Sequence, residues 1–519
     1  MRTHYIIRKA SGKIYVQLFD FLKWLEYNKR KLLKKHGGMN LNAAIILGAS
    51  LAVAIPLCTI KKISSDVITL LVKIFAVALF VAGSFRMWLN DYFVWMINGG
   101  KYGDYYYKAQ DLGQSILRWL TYLSFIAYPC AAFLRLRTVK NFAVYFCTPV
   151  TIVATFFYND FMKYFLTPSG RGFWVGETVR HIEFSLELIL PIVMGILLRF
   201  RMGHKFDYKN GREWKYFGVL LPITLVCVFP VYLPQSLFGF TKYRMGALSI
   251  QHLAWLALLI GLTFTLYFVL RFRPYEQRFG VCTFLALYLL IHYNSIYMMD
   301  MKLSRLPLQL CNLGAYLALF ALLIRKQGFF NFMLLANTPG TIIALFVPDV
   351  EEGMLSFWNM HFYIEHMLVF ILPILFVSLR LMQRPDKKAI KHFFIGFSIY
   401  FFICALTGTL FNGYLYKPSD FFYDEVNYFY MFDDTVVSAF FFLKFVYELP
   451  IFVNGYVIYP LYMLIIYILF SAYCVAFYYV YHWLCKTGDD HFKLRQIRIA
   501  MYREKHPNGK KTFQEEYVD

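Results

Sequence analysis

Apolar runs of roughly 20 residues recur along the chain between residues 42 and 484, and an α-helix needs about this length to cross a bilayer. Of the 519 residues, 59% are hydrophobic and 16% are charged, whereas soluble domains carry about 25% charged residues. No stretch between the runs is long enough for a separate soluble domain. The sequence therefore predicts an all-α, polytopic transmembrane helical bundle.

The runs predict about 13 spans, arranged as two sets of six and a last single span. The first set covers residues 42–59, 67–97, 113–134, 142–158, 181–199 and 215–236, the second covers 249–270, 279–300, 306–324, 329–347, 361–380 and 391–412, and the last span covers 456–484. Before them lies a basic segment, residues 1–38, in which residues 14–27 have the pattern of a helix on the membrane surface. A charged tail, residues 485–519, ends the chain.

Two sequence matches relate the first set of spans to the second. HIEFSLELILPI at residues 181–192 matches YIEHMLVFILPI at 363–374, and CTPVTIVATFF at 147–157 matches NTPGTIIALFV at 337–347. The second match also pairs Arg135 with Arg325 and Asn141 with Asn331. Polar and proline positions shared in order indicate a tandem repeat of a six-helix unit, residues 39–240 and 249–484.

The net charge of +22 does not indicate a nucleic-acid partner, because the basic residues lie in short loops and in the two tails, as they do in membrane proteins. In the second set, the loops near residues 271–278, 325–326 and 380–391 are basic and mark the cytoplasmic side. The loops between them are acidic and are placed outside. The side of the N-terminus stays open, since the repeat would put this basic segment outside.

With this orientation, seven polar side chains of the second set share one depth, just below the outer interface. They are His252, His292, Cys311, His361, Glu365, His366 and Asn412. Ionisable side chains that face lipid cost several kcal/mol, so they normally face a bundle interior, a cavity or one another. The convergence predicts a site, although a single membrane histidine is more often an interhelical hydrogen-bond partner than a catalyst.

The histidine spacing argues against a metal ion. His361 and His366 are five residues apart and diverge by about 140° around a helix, unlike the pair four residues apart in the H-E-x-x-H motif. His361 and Glu365 share a helix face, which favours Glu365 orienting a histidine. One histidine and Glu365 together with His252 remain an alternative metal-binding set, but no metal and no cofactor is predicted.

Cys311 differs from the other cysteines because histidines lie at its depth. A buried thiol becomes a nucleophile when a base or a positive group favours the thiolate. In the first copy of the repeat Cys311 corresponds to Thr121, His361 to Val179 and His366 to Phe184. The first copy is therefore predicted to be degenerate, and the second copy to carry the site.

Several short motifs of the second copy resemble one known family. LPLQLCN at residues 306–312, TPGTIIALFVPD at 338–349 and the histidines His361 and His366 resemble the YwaF-like family of integral membrane proteins, which is related to animal transmembrane protein 164. The segments around His252 and Asn412 are also similar to landmarks of this family. The resemblance covers roughly residues 249–484.

The resemblance implies a cysteine-dependent acyltransferase that moves a fatty acyl chain between membrane phospholipids. Cys311 would be the acylated nucleophile, and His366 or His361 its base. Asn312 and Asn412 would steady the oxyanion, with His252 and His292 among the substrate-binding groups. The expected partners are membrane phospholipids, and the expected location is the bacterial cell membrane.

Three alternatives remain open. Hydrolysis of the acyl-thioester by water would make the protein a lipid hydrolase. Six-helix repeats with polar groups between helices are also a plan of membrane transporters and flippases, and a non-catalytic scaffold is the third alternative. The concentration of polar groups in the second copy favours the enzyme, because a transporter would more naturally keep them in both copies.

Overall fold

The structure is a computed structural model that describes residues 41–89, 109–134, 136–166, 176–218, 245–298, 302–346, 348, 353–418, 423–432, 445–446 and 449–505. The predicted basic segment 1–38, most of the predicted span 215–236 and residues 506–519 of the tail lie outside these ranges. Most acidic residues of the loops that were placed outside also lie beyond these ranges. They are Asp349, Glu351, Glu352, Asp420, Asp433 and Asp434.

The first half of the chain forms six described helices. They are α1 (Leu41–Thr59), α2 (Ser65–Leu89), α3 (Ala109–Phe133), α4 (Arg137–Phe156), α5 (Tyr158–Leu166) and α6 (Glu177–Ile196). A π-helical turn, Ala143–Cys147, interrupts α4, and a second one, Leu197–Arg201, continues α6. Pro149 follows the first turn, and because proline has no N–H for the fourth preceding carbonyl, the wider turn accommodates its ring.

The second half forms six helices, and a long terminal helix follows them. They are α7 (Ile250–Leu270), α8 (Tyr275–Asn294), α9 (Leu310–Ile324), α10 (Gln327–Phe346), α11 (Phe357–Ser378), α12 (Lys388–Leu410) and α13 (Pro460–Lys505). A π-helical turn, Phe411–Leu415, continues α12. Between α9 and α10, Arg325 has a φ of 55° and takes the left-handed conformation that ends α9 in a tight link.

Nine helices of the described residues are long and apolar enough to cross a membrane. Two shorter apolar stretches, Leu120–Phe133 in α3 and Leu310–Ile324 in α9, add to them. The prediction of a polytopic helical membrane protein is therefore confirmed.

The helix that corresponds to the last predicted span, 456–484, begins and ends at other residues in the structure. A hairpin of β1 (Ile451–Val453) and β2 (Tyr456–Ile458) precedes α13, with Ile451 opposite Ile458. Its turn is Asn454–Gly455, where both φ angles are positive (49° and 86°), as a two-residue hairpin turn requires. Pro460 then starts α13, which continues as a helix through the charged residues to Lys505.

The two halves pack their helices in the same pairs. In the first half, α6 contacts α1, α2, α3 and α4, while α3 contacts α2 and α4. In the second half, α11 contacts α7, α8, α9 and α10, while α9 contacts α8 and α10. Each of these contacts has a counterpart in the other half when α1, α2, α3, α4 and α6 are matched to α7, α8, α9, α10 and α11, whereas the contact of α1 with α4 has no counterpart of similar extent between α7 and α10.

The halves meet along α8, which packs on α2 and α3. Gly280 near the start of α8 faces the link between α3 and α4, where an added Cβ would lie 2.6 Å from Leu136 and 3.2 Å from Leu134. Arg278, which lies two residues before Gly280 in the first turn of α8, is therefore on the same side as the α3–α4 link. Basic loops of both halves share one side, which assigns the described part of the first half to the same orientation as the second.

Candidate functional site

Cys311 is half-buried and lies in the first turn of α9. This helix has 15 residues and is therefore about 22 Å long, shorter than the roughly 30 Å hydrocarbon core of a bilayer. Its other end, at residues 325–326, carries the basic link of the inner side. With this link on the inner side, as its charge predicts, the length of α9 predicts that Cys311 lies several ångströms below the outer surface.

A set of hydrogen bonds, here called the outer strap, joins residues 302–309 before α9 to residues 424–429. Ser304 donates from its backbone N and its Oγ to the carboxylate of Asp424. Gln309 donates to the carbonyl of Asn427 at 2.7 Å and accepts from the backbone N of Phe429 at 3.0 Å. The strap fixes the start of α9, and with it Cys311, to the outer loops.

On α11, His361 and Glu365 lie one turn apart, with His361 Nδ1 3.6 Å from Glu365 Oε2. His361 Nε2 lies 3.2 Å from the carbonyl oxygen of His292, and His292 Nε2 lies 3.2 Å from the carbonyl oxygen of His361. The two rings stack with their centroids 4.7 Å apart. Because a carbonyl only accepts, His361 donates from Nε2, and its Nδ1 and Glu365 can share one proton.

Glu365 interacts electrostatically with both Cys311 and Arg305. The backbone carbonyl of Arg305 accepts hydrogen bonds from the hydroxyls of Tyr293 and Tyr297, at 2.9 and 2.8 Å, which hold this residue beside α8. Thiol, carboxylate and guanidinium thus occupy one region at the outer ends of α8, α9 and α11. Arg305 was not among the predicted site residues, although an arginine six residues before the candidate nucleophile was visible in the sequence.

The structure does not join Cys311 to a histidine within the described residues. Its thiol donates to Oδ1 of Asn312 at 3.3 Å. His366 uses Nδ1 to contact the carbonyl of Phe362, four residues back in its own helix, at 2.7 Å, and stacks on the Phe362 ring at 4.1 Å. Among the described residues, the carboxyl group of Glu365 and the hydroxyl of Tyr400 are ionisable groups that interact electrostatically with the thiol.

His252 connects two helix ends. Its Nδ1 accepts from the backbone N of Leu248 at 2.8 Å, and its Nε2 lies 2.7 Å from the carbonyl oxygen of Leu345, to which it donates. Both ring nitrogens are thereby engaged, and the ring ties the start of α7 to the end of α10.

Asn412 makes a similar structural contact in the outer loops. Its Nδ2 donates to the carbonyl of Val426 at 2.9 Å, and its Oδ1 accepts from the backbone N of Val426 at 2.8 Å. Of the two predicted oxyanion donors, Asn312 is therefore the one that lies beside the thiol. The described residues contain no group of three or more His, Cys, Asp or Glu side chains suited to a metal ion.

The first half also contains several buried charged side chains. The sequence match between the two halves indicated only one of them, Glu183, opposite Glu365. Arg180, Glu183 and Glu187 of α6 are each at most 5% exposed. Beside them, the Tyr158 hydroxyl lies 2.8 Å from Nδ1 of His181. The spacing of the two glutamates, four residues apart in an apolar helix, was the signal that could have revealed a shared face.

Comparison with known proteins gives a match for the second half. Residues 247–478, somewhat under half of the chain, match the model of the TMEM164 family. No curated protein and no solved structure was found to match the chain. Together with the apolar helices, the family match supports a multi-pass membrane protein. The part of the chain that holds Cys311, His361 and Glu365 is thus related to the TMEM164 family.

Proposed function

We propose that the protein is a lipid acyltransferase of the membrane, in which Cys311 carries the acyl group as a thioester near the outer leaflet. The observation that carries the proposal is the grouping of a half-buried thiol with Glu365, which in turn lies 3.6 Å from His361. A thiol needs a neighbouring base to react as a thiolate. In this proposal Glu365 is that base, because it interacts electrostatically with the thiol.

The reaction has two balanced steps. In the first, Glu365 takes the proton of the Cys311 thiol, the sulfur attacks the ester carbonyl of a phospholipid, and the C–O bond breaks. The departing oxygen receives the proton and leaves as the hydroxyl of a lysophospholipid. In the second, the hydroxyl of another lysolipid attacks the thioester, gives its proton to Glu365 and releases the thiolate, which recovers that proton.

The surrounding groups have distinct roles in this mechanism. Arg305 is the positive charge that interacts with Glu365 and would balance its negative charge during proton exchange. His361 holds or releases a proton at Nδ1 beside the carboxylate. The amide of Asn312, next to the thiol, is the candidate donor to the oxyanion.

Depth supports a lipid ester as the substrate. The start of α9 lies below the outer surface because the helix spans only about 22 Å, and the ester carbonyls of a phospholipid lie at the boundary between headgroups and hydrocarbon. A substrate that diffuses within the membrane can meet Cys311 without crossing a long polar channel.

The proposal also covers how the two halves of the chain arose and in which membrane the protein lies. We interpret the matching helix pairs of the two halves as a tandem duplication, since both register and packing agree. The resemblance of the second half to YwaF-like proteins supports a place in the bacterial cell membrane.

The test is intact-mass analysis of purified protein after incubation with phospholipid. We expect one acyl adduct that hydroxylamine removes, absent from Cys311→Ser and retained in Cys282→Ser, whose fully buried cysteine lies on α8 of the same half. An adduct that persists in Cys311→Ser would contradict the proposal. So would the lack of any adduct together with unchanged lipid acyl chains.

A transporter or flippase is the second candidate, and one observation favours it. The first half also buries charged groups at the equivalent helix, Arg180, Glu183 and Glu187 on α6, whereas the sequence argument for the enzyme relied on polar groups being concentrated in the second half. Alternating access uses two such similar halves. Movement of a labelled lipid across proteoliposomes by Cys311→Ser at the parent rate would favour transport over acyl transfer.

A further inference from the structure

A cavity of about 260 Å³ lies on the basic side of the first half, between α2, α3, α4 and the end of α6. Two of its lining side chains are cations, Lys73 of α2 and Lys140 of α4. The remainder of the wall is mostly apolar, with Phe133, Leu198 and Met202 among its members.

Positive charge at this cavity is not neutralised within the described residues. Lys73 contacts a ring, with Nζ 5.7 Å from the centroid of Phe133, and no ion pair joins Lys73 or Lys140 to a carboxylate of the described residues. The nearby carboxylate of Glu213 is taken by Arg137. The cavity is thus complementary to an anion.

The depth of Lys73 and the apolar wall favour an anion that carries acyl chains. Lys73 is eight residues after Ser65, the first residue of α2, and so lies about 12 Å along the helix. Its flexible stem can lie against apolar surface while the ammonium group reaches the headgroup level. Beside the cavity, Ile74, Val77 and Phe133 are about half exposed (52%, 49% and 53%) and face the surroundings of the bundle.

The second half fills the same place with a side chain. In the register that pairs Asn141 with Asn331, Lys140 corresponds to Phe330. Phe330 is fully buried, and its ring packs near that of Phe376 with the centroids 6.2 Å apart. The cationic cavity therefore distinguishes the first half from its counterpart.

We propose that the cavity binds the phosphate of an anionic phospholipid from the cytoplasmic leaflet, between Lys73 and Lys140, with the acyl chains along the exposed apolar surface of α2 and α3. The cytoplasmic leaflet carries the anionic lipids that basic pockets between helices recognise. This site is separate from Cys311, on the opposite side of the membrane, and does not depend on the acyltransferase proposal.

The test measures lipid binding to the full chain in detergent by native mass spectrometry and by the shift in apparent Tm. The probes are phosphatidylglycerol, phosphatidylcholine and the soluble anion glycerol 3-phosphate. We expect phosphatidylglycerol alone to bind with high affinity and to raise the Tm. In Lys73→Gln/Lys140→Gln its affinity falls about tenfold or more.

The matched control is Lys61→Gln/Lys62→Gln, which removes two exposed lysines on the same side that do not line the cavity. This control keeps the parent affinity if the cavity is the site. Equal loss in both double variants would overturn the proposal and indicate a general attraction of basic loops. An equal Tm shift with glycerol 3-phosphate would also overturn it, in favour of a free anion.

A further variant guards against misfolding. Lys140→Phe places in the first half the side chain that the second half has at this position, so it fills the cavity with a residue that the fold already accommodates. Loss of phosphatidylglycerol binding in this variant, with its Tm in lipid-free detergent unchanged, supports the site, and retained binding contradicts it.

Discussion

His204 Nε2 lies 2.7 Å from Oδ1 of Asn141. This contact joins the loop after α6 to the start of α4, on the basic side of the first half. In the second half, Asn331 at the equivalent position of α10 lies 3.0 Å from Nδ1 of His392 at the start of α12. Each half therefore has an asparagine–histidine contact at the position paired by the predicted repeat, through the amide oxygen in the first half and the amide nitrogen in the second.

The contact predicts how stability depends on pH. Burial lowers the pKa of His204 from 6.5 to about 4, with the neighbouring cations Arg137 and Lys140 acting in the same direction and Glu213 opposing them. Between these two values the unfolded chain binds more protons than the folded one, so stability falls as pH drops from about 6.5 to 4. We expect the apparent Tm in detergent to fall over this interval.

The matched variant is His204→Gln, which keeps a donor for Asn141 but does not titrate. Its Tm should depend less on pH than that of the parent between pH 6.5 and 4, because the proton uptake of the unfolded histidine is gone. Identical slopes for the two proteins over this interval would show that His204 is not the responsible group.

Replacing Glu365 separates the two candidate bases for Cys311. If Glu365 takes the thiol proton, Glu365→Gln should slow formation of the acyl adduct by about 10²-fold or more, the usual contribution of a general base. His366→Gln should leave the rate nearly unchanged, because the ring of His366 contacts Phe362 of its own helix rather than the thiol. The measurement is the time course of adduct mass. The reverse order of effects would assign the base to His366.

Gly314 marks a close approach of three helices one turn after Cys311. A Cβ at this position would lie 2.7 Å from Nδ2 of Asn337 on α10 and 2.8 Å from Val369 on α11. Gly314→Ala should therefore destabilise the fold by about 1–3 kcal/mol through overpacking. Gly261→Ala, in α7 with no atom within 4 Å of the added Cβ, is the control and should be neutral or slightly stabilising. A thermal shift assay compares them, and equal Tm values would contradict this packing.

Replacing Asn412 shows whether its side-chain amide stabilises the fold or takes part in catalysis. Asn412→Ala leaves the backbone N and carbonyl of Val426 without these partners, and each unsatisfied buried group costs about 1–3 kcal/mol. We expect a lower Tm and faster proteolysis in the outer loop, while the rate of adduct formation per folded molecule stays near that of the parent. A large loss of this rate with unchanged Tm would instead favour a role at the oxyanion.

Hydropathy alone predicted the helical membrane architecture because each span must satisfy its backbone hydrogen bonds internally, which leaves long apolar runs. The register that pairs Asn141 with Asn331 rests on polar residues inside apolar runs, which are rare, and the repeat stays a prediction. The hairpin at residues 451–458 was not predicted. Its Asn454–Gly455 turn is a hairpin signal, but the apolar residues around it resembled the start of a span.

For the candidate site, the sequence predicts a set of residues but not the contacts that these residues make. The sequence predicts that Cys311, His361 and Glu365 lie at one depth, because the depth of each residue follows from its distance along the chain to the predicted end of its helix. It could not show that Glu365 rather than His366 interacts with the thiol, since this depends on how α9 and α11 are rotated about their axes. Rotation is fixed by side-chain packing, for example by Gly314 against Asn337 and Val369, and hydropathy does not report it.

The outer strap has a consequence for which lipids reach Cys311. Because Ser304 and Gln309 bind the outer loops, the height of the sulfur atom is held relative to those loops as well as by the length of α9. In a thicker or thinner bilayer the ester groups would shift relative to a sulfur atom that keeps its place. The protein would then prefer lipids whose acyl chain length brings the ester group to the height of the sulfur atom, which is fixed relative to the outer loops.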